Sequence, residues 1–113
     1  MHELAVAESL LKIVVEEGKK HGLSRVTQVR LRIGELSTVV PDALTFSFDV
    51  ISQGTLAEGA KLIAEMTPVI AHCNTCDLDF EVEDFVFLCP QCQTMVLALV
   101  SGKELEVVDL EGE

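Results

Sequence analysis

Two pairs of cysteines constrain this chain more than any other feature. Cys73-Asn74-Thr75-Cys76 and Cys89-Pro90-Gln91-Cys92 form a C-x2-C, x12, C-x2-C pattern. Each C-x2-C turn presents two thiolates to one ion, and the intervening residues are long enough for a hairpin that brings the pairs together. The stretch "DFEVEDFVF" fits such a hairpin, with Phe80 and Val82, then Phe85 and Phe87, in alternation. Four thiolates around a closed tetrahedral site favour Zn(II) in a structural role, because no coordination position is left for water or substrate. Iron in a tetrathiolate site is the main rival. Against it, no Gly follows Cys92 and few aromatic residues are at hand to pack around the ion. A redox dithiol would use one pair and leave the other unexplained. His72, directly before Cys73, either contributes to the site or is an ordinary hydrogen-bonded histidine beside a knuckle.

Compartment and charge narrow the function classes. The chain starts with no basic region, apolar run and small-residue cleavage site, and no apolar stretch approaches the ~20 residues of a membrane span. It reads as a cytoplasmic protein, where four cysteines serve as metal ligands rather than disulfides. The net charge of −11 opposes any phosphate backbone, which argues against nucleic acid as a partner. With no Trp, no Tyr and five Phe, the core must be built mainly of Val, Leu, Ile and Ala. At 113 residues that core is modest, and a metal-stapled appendage would help to hold the chain.

Periodicity places the other elements. From Glu3 to His21, Leu4, Ala7, Leu10, Leu11, Val14 and Val15 recur at three- and four-residue steps, which predicts an amphipathic helix closed by Gly22. His21 sits at its end as a dipole partner. In "VTQVRLRIGE", Val29, Leu31 and Ile33 alternate with Gln28, Arg30 and Arg32, the period of a half-buried strand. Pro41, with Leu44, Phe48 and Ile51 and then Gly54, predicts a second helix, although "TFSFDV" also alternates as a strand would. Lys61 to Val69 and Lys103 to Leu110 read as further strands. The expected fold is α+β: a small mixed sheet with two helices, formed by residues 1–69 and 101–113, with a zinc-ribbon-like module of two CxxC knuckles, residues 70–100, inserted before the last strand returns.

The amino terminus offers a second metal site. His2 is too large to permit removal of Met1, so the chain presents a free amine, an amide, the His2 imidazole and the Glu3 amide in a row. Nitrogen donors in that order suit a square-planar ion, Ni(II) or Cu(II). Copper would bind more tightly by the Irving–Williams order, so these donors alone do not choose between the two.

"MHE" at the start, "RIGELSTVVPDALTFSFDV" in the middle, the two cysteine pairs and the "SGKELEVVDLE" ending together resemble the hydrogenase nickel-incorporation proteins, the HypA/HybF family of maturation factors. The blocks occur in order through essentially the whole chain. The resemblance implies a nickel metallochaperone that is not an enzyme. Ni(II) would be held by the Met1 amine, the His2 side chain and the His2 and Glu3 backbone, and Zn(II) by Cys73, Cys76, Cys89 and Cys92. It further implies a GTP-hydrolysing nickel-insertion partner and delivery to the large subunit of [NiFe]-hydrogenase, in some organisms also serving urease maturation. The competing reading is a zinc-ribbon interaction module without nickel transfer. An enzymatic reading finds no nucleophile with a base nearby, no Gly-rich phosphate loop and no open metal site.

Overall fold

The amphipathic stripe of the first helix seeds the larger of two lobes. In a computed structural model describing residues 3–113, α1 spans Glu3–Lys20 and buries Val6, Ala7, Leu10, Val14 and Gly18. The stripe is rotated from the sequence expectation: Leu4 is exposed and Val6 takes its place. Gly18 is in the stripe because a Cβ there would meet Leu56 Cδ1 at 2.9 Å and Val26 Cγ2 at 3.2 Å. Gly22, at φ +72°, follows the helix in the left-handed conformation that L-residues avoid.

Strand β1 (Val26–Gly34) runs through the middle of a three-stranded sheet. Val29, Leu31 and Ile33 face the helices and are fully buried. After a 3-10 turn at Glu35–Ser37, α2 (Pro41–Ile51) begins with Pro at its first position and buries Leu44 and Phe48. The ambiguity at "TFSFDV" thus resolves to helix: Leu44 and Phe48 share the core-facing side, while Phe46 points to solvent. The chain then returns as β2 (Lys61–Thr67), parallel to β1, which makes β1-α2-β2 a crossover unit. The opposite face of the sheet carries ion pairs, with Ile63 exposed beside them. Arg30 is paired with Asp109 at 2.6 Å and Arg32 with Glu106 at 3.0 Å.

Residues beyond β2 leave this sheet and form a second one. It has β4 (Leu78–Glu81), β3 (Ile70–Cys73) and β5 (Leu99–Ser101) in that order, with both neighbours antiparallel to β3. Its own core contains Val69, Ala71, Phe80, Val82 and Val96 with Cys73 and Cys89. Strand β6 (Leu105–Gly112) then rejoins the first sheet antiparallel to β1, giving the order β2-β1-β6. The second lobe is therefore inserted between two strands of the first. A radius of gyration of 17.3 Å, against about 13 Å for a compact domain of this length, reflects the two separate cores.

The lobes meet where backbones touch. A Cβ on Gly34 would lie 2.1 Å from the carbonyl carbon and oxygen of Gly102, and Gly102 itself, at φ +113°, abuts the Cα of Val69. Gly34 N–H donates to the Glu104 carbonyl at 2.6 Å and Leu36 N–H to the Gly102 carbonyl at 2.8 Å. The Glu104 carboxylate accepts from the Thr67 hydroxyl at 2.5 Å and from the N–H groups of Gly102 at 2.6 Å and Lys103 at 3.0 Å. These contacts tie the ends of β2 and β6 to the entry and exit of the insertion. Among the described residues, no helix is long and apolar enough to cross a membrane.

Candidate metal centres

Each cysteine pair sits in a turn, the first spanned by the pairing of Cys73 with Leu78 and the second by hydrogen bonds. Cys73 ends β3, and the turn through Asn74, Thr75 and Cys76 leads into β4. The second turn is fastened by Cys89 N–H to the Thr94 carbonyl at 3.0 Å and by Gln93 N–H to the Cys89 carbonyl at 2.8 Å. In both, the residue after the second cysteine has a positive φ, 52° at Asp77 and 59° at Gln93. That left-handed residue turns the chain back toward its own first cysteine. The positions carry Asp and Gln rather than Gly, so the usual sequence signal of positive φ is missing.

The expected hairpin between the pairs forms only in part. Phe80 and Val82 are buried and Phe87 packs on the same core. Phe85 does not alternate inward with them: it sits in a turn and is exposed. Between that turn and β5, the strand pairing among the described residues is a single bridge between Leu88 and Met95. The main partners of β3 are β4 and the three-residue β5, which sequence alternation did not reveal because so short a strand carries no period.

The four sulfurs lie within 4.8 Å of one another. Cys73 Sγ is 3.7 Å from Cys92 Sγ, and Cys89 Sγ is 3.9 Å from Cys76 Sγ. A tetrahedron with metal–sulfur bonds of about 2.3 Å has edges of about 3.8 Å. Those two spacings match that edge, the remaining sulfurs are close enough to share the same ion, and none of the four cysteines is in a disulfide. Cys73 and Cys89 are buried in the core of this lobe, whereas Cys92 is exposed.

Electrostatics agrees with a cation site. Burial, reinforced by hydrogen bonds from the other cysteines, pushes the Cys76 thiol up to about 12. The Thr94 hydroxyl, 3.3 Å from Cys92 Sγ, and the Thr94 backbone pull Cys92 down to about 6. One thiolate forms readily, but crowding opposes ionisation of its neighbour. A bound dication would favour the thiolate form of its ligands.

His72 stands outside the sulfur group. Its Nδ1 is 2.6 Å from Asp79 Oδ1 and its Nε2 is 3.4 Å from Asp77 Oδ1, so both ring nitrogens face carboxylates. His21 lies 3.5 Å from Glu17, one helical turn back. Met1 and His2, expected to hold nickel, lie outside the described residues. Glu3, expected with them, heads α1, and its Oε1 accepts the Val40 N–H at 3.3 Å. This contact fastens the first turn of α1 to the residue preceding α2.

A family model described as hydrogenase/urease nickel incorporation, metallochaperone, hypA, matches residues 1–112. A hydrogenase maturation factor HypA of Roseiflexus sp. is 48% identical over 114 aligned residues, covering 100% of this chain and 93% of that protein. One of Acidithiobacillus ferrooxidans is 42% identical, with both chains covered completely. Among solved structures, a solution structure of a HypA protein is similar with a TM-score of 0.75 at 25% identity, covering 100% of this chain and 97% of that one. The solution structure of the Ni metallochaperone HypA from Helicobacter pylori has a TM-score of 0.72 at 24% identity, covering 99% and 97%.

Proposed function

We propose that this chain, which belongs to the HypA family of hydrogenase and urease nickel-incorporation metallochaperones, carries Ni(II) at its amino terminus for insertion into the large subunit of [NiFe]-hydrogenase. Met1, His2 and Glu3 supply the nitrogen donors, in the part formed by residues 1–69 and 101–113. Cys73, Cys76, Cys89 and Cys92 hold a structural Zn(II) in the module of residues 70–100. The chain is not an enzyme: nickel is cargo, passed on together with a GTP-hydrolysing insertion partner, and in organisms with urease the same cargo serves its maturation. The site of action is the cytoplasm.

The observation that carries the reading is the convergence of four cysteines on one metal-sized cluster in a chain of this family. The cysteine site is rooted in the core of its own lobe through Cys73 and Cys89, with its two printed sulfur spacings close to those of one tetrahedral ion. Metal binding there becomes folding free energy, so the ion stays. The terminal donors instead adjoin the start of a helix. The first N–H groups of a helix have no acceptor within it, so deprotonating an amide there for a square-planar ion breaks no bond of the helical ladder. The fastening of Glu3 to Val40 gives these donors a rigid base, and their terminal position lets the cargo leave.

The test is a nickel titration of zinc-loaded, tag-free protein followed by visible absorption, with His2→Ala alongside. A weak band of low-spin square-planar Ni(II), saturating at one equivalent and absent in the variant, is expected, with little change in thermal stability. No band in either protein would leave a zinc-stapled interaction module as the better description.

A further inference from the structure

The turn at Glu83–Val86 is strained without local compensation. Val86 N–H donates to the Glu83 carbonyl at 2.9 Å, and the two central residues, Asp84 (φ 53°) and Phe85 (φ 60°), are both left-handed. Two consecutive positive φ values are those of a type I′ turn, which Asn-Gly or Asp-Gly fills most easily. Asp suits the first position. Phe at the second is unfavourable, because a bulky L-residue resists the left-handed region. Its ring gains no burial in return, being 71% exposed.

The surroundings of Phe85 are apolar and uniformly acidic. Val86 and Leu88 are exposed, and the Leu88–Met95 bridge adds Met95, 69% exposed, with Leu97, 70% exposed, two residues on. Beside the turn, Phe80, Val86, Leu88 and Pro90 share a shallow cavity of about 330 Å³ with Glu81, Glu83 and Asp84. No Lys or Arg occurs between Lys61 and Lys103, whereas Asp77, Asp79, Glu81, Glu83 and Asp84 all do. Clustered apolar side chains rimmed by charge mark a docking surface, and a single sign of charge selects the partner. A second copy would set acidic rim against acidic rim, and an anionic lipid surface would be repelled in the same way.

We infer that the Phe85 turn and the Leu88–Met95 bridge form the docking surface for a partner protein's segment that carries Lys or Arg beside apolar side chains, with Phe85 as the anchor. The inference rests on the carrier reading above, which makes that partner a protein that receives or inserts the nickel. Retaining Phe where Gly would be more stable is the trade of local stability for function expected at a binding site.

The experiment titrates two purified probes, the [NiFe]-hydrogenase large-subunit precursor and the GTP-hydrolysing insertion protein of the same organism, onto the zinc-loaded chain. Wild type, Phe85→Gly and the double variant Glu83→Gln with Asp84→Asn are compared. Wild type binds at least one probe, more weakly as salt is raised. Phe85→Gly weakens that binding at least about tenfold yet raises the melting temperature by about 4–8 °C, since Gly relieves the left-handed penalty of the turn. The double variant also weakens binding, and the nickel titration is unchanged in both. Binding to neither probe, equal affinity for Phe85→Gly, or a dimer that Phe85→Gly dissociates would each overturn the docking surface. Failure of wild type to bind nickel would overturn the carrier reading separately.

Discussion

Replacing Gly34 by Ala should separate the two lobes. The added Cβ would stand 2.1 Å from the carbonyl carbon and oxygen of Gly102 and 2.5 Å from Lys103 N, where carbon contacts normally begin at about 3.5 Å. All three obstacles are backbone atoms, so no rotamer change relieves them, and the strands must part by more than about 1 Å. That displacement breaks the bonds from Gly34 N–H to the Glu104 carbonyl and from Leu36 N–H to the Gly102 carbonyl. Two backbone hydrogen bonds are worth about 1–3 kcal/mol together, and overpacking adds about 1–3 kcal/mol. The sum, about 2–6 kcal/mol, lowers the melting temperature by about 8–24 °C at about 4 °C per kcal/mol for a chain of this size. The assay is thermal unfolding of zinc-loaded protein by circular dichroism. Gly22→Ala is the control: its φ is +72° with nothing within 4 Å of the added Cβ, so it carries only the left-handed penalty of about 1–2 kcal/mol. A Gly34→Ala melting temperature within about 3 °C of wild type would refute the argument, since that shift corresponds to less than 1 kcal/mol.

Glu104 makes the same junction sensitive to acid. The Thr67 hydroxyl first, then the Gly102 and Lys103 N–H groups, hold its carboxyl below the usual range. Its stabilisation is therefore complete above the unfolded-state value of about 4.3 and disappears as pH falls through the lower folded-state value. Urea unfolding should show a wild-type advantage over Glu104→Ala at neutral pH that shrinks in acid, and a constant difference would count against this. Cys73→Ser and Cys92→Ser should each lose zinc and unfold the β3–β4–β5 lobe, as metal analysis and circular dichroism would report; one zinc per chain with native spectra contradicts the assignment. Nickel affinity should fall as pH drops from about 8 to 6, because the α-amine and the imidazole must both lose protons to bind. A flat calorimetric titration across that range would exclude them as ligands.

Elements whose residues repeat with a period were legible in the chain. The first helix, β1 and the Pro41 helix carry their apolar positions at regular steps. The alternation in "TFSFDV" was compatible with two structures, and the choice fell to helix because Leu44 and Phe48 meet α1 across the β1 face. Features set by a single residue against a distant one were not legible. Gly34 and Gly102 look like ordinary turn glycines until the insertion folds back on β1. Asp77, Gln93 and Phe85 adopt positive φ without the Gly that signals it, and β5 exists only because β3 offers it an edge.

For the candidate site, the sequence by itself determined the donor type of the cysteine centre: four thiolates at knuckle spacing. Ligand type and local spacing are covalent properties of the chain, so they require no tertiary contact. Only the tertiary structure decided that the four sulfurs converge on one metal-sized cluster, that His72 faces Asp77 and Asp79 instead of joining them, and that Phe85 is held out in solvent. Each depends on which strands meet, and strand pairing is fixed by the burial of two separate cores and by backbones that only glycine lets approach.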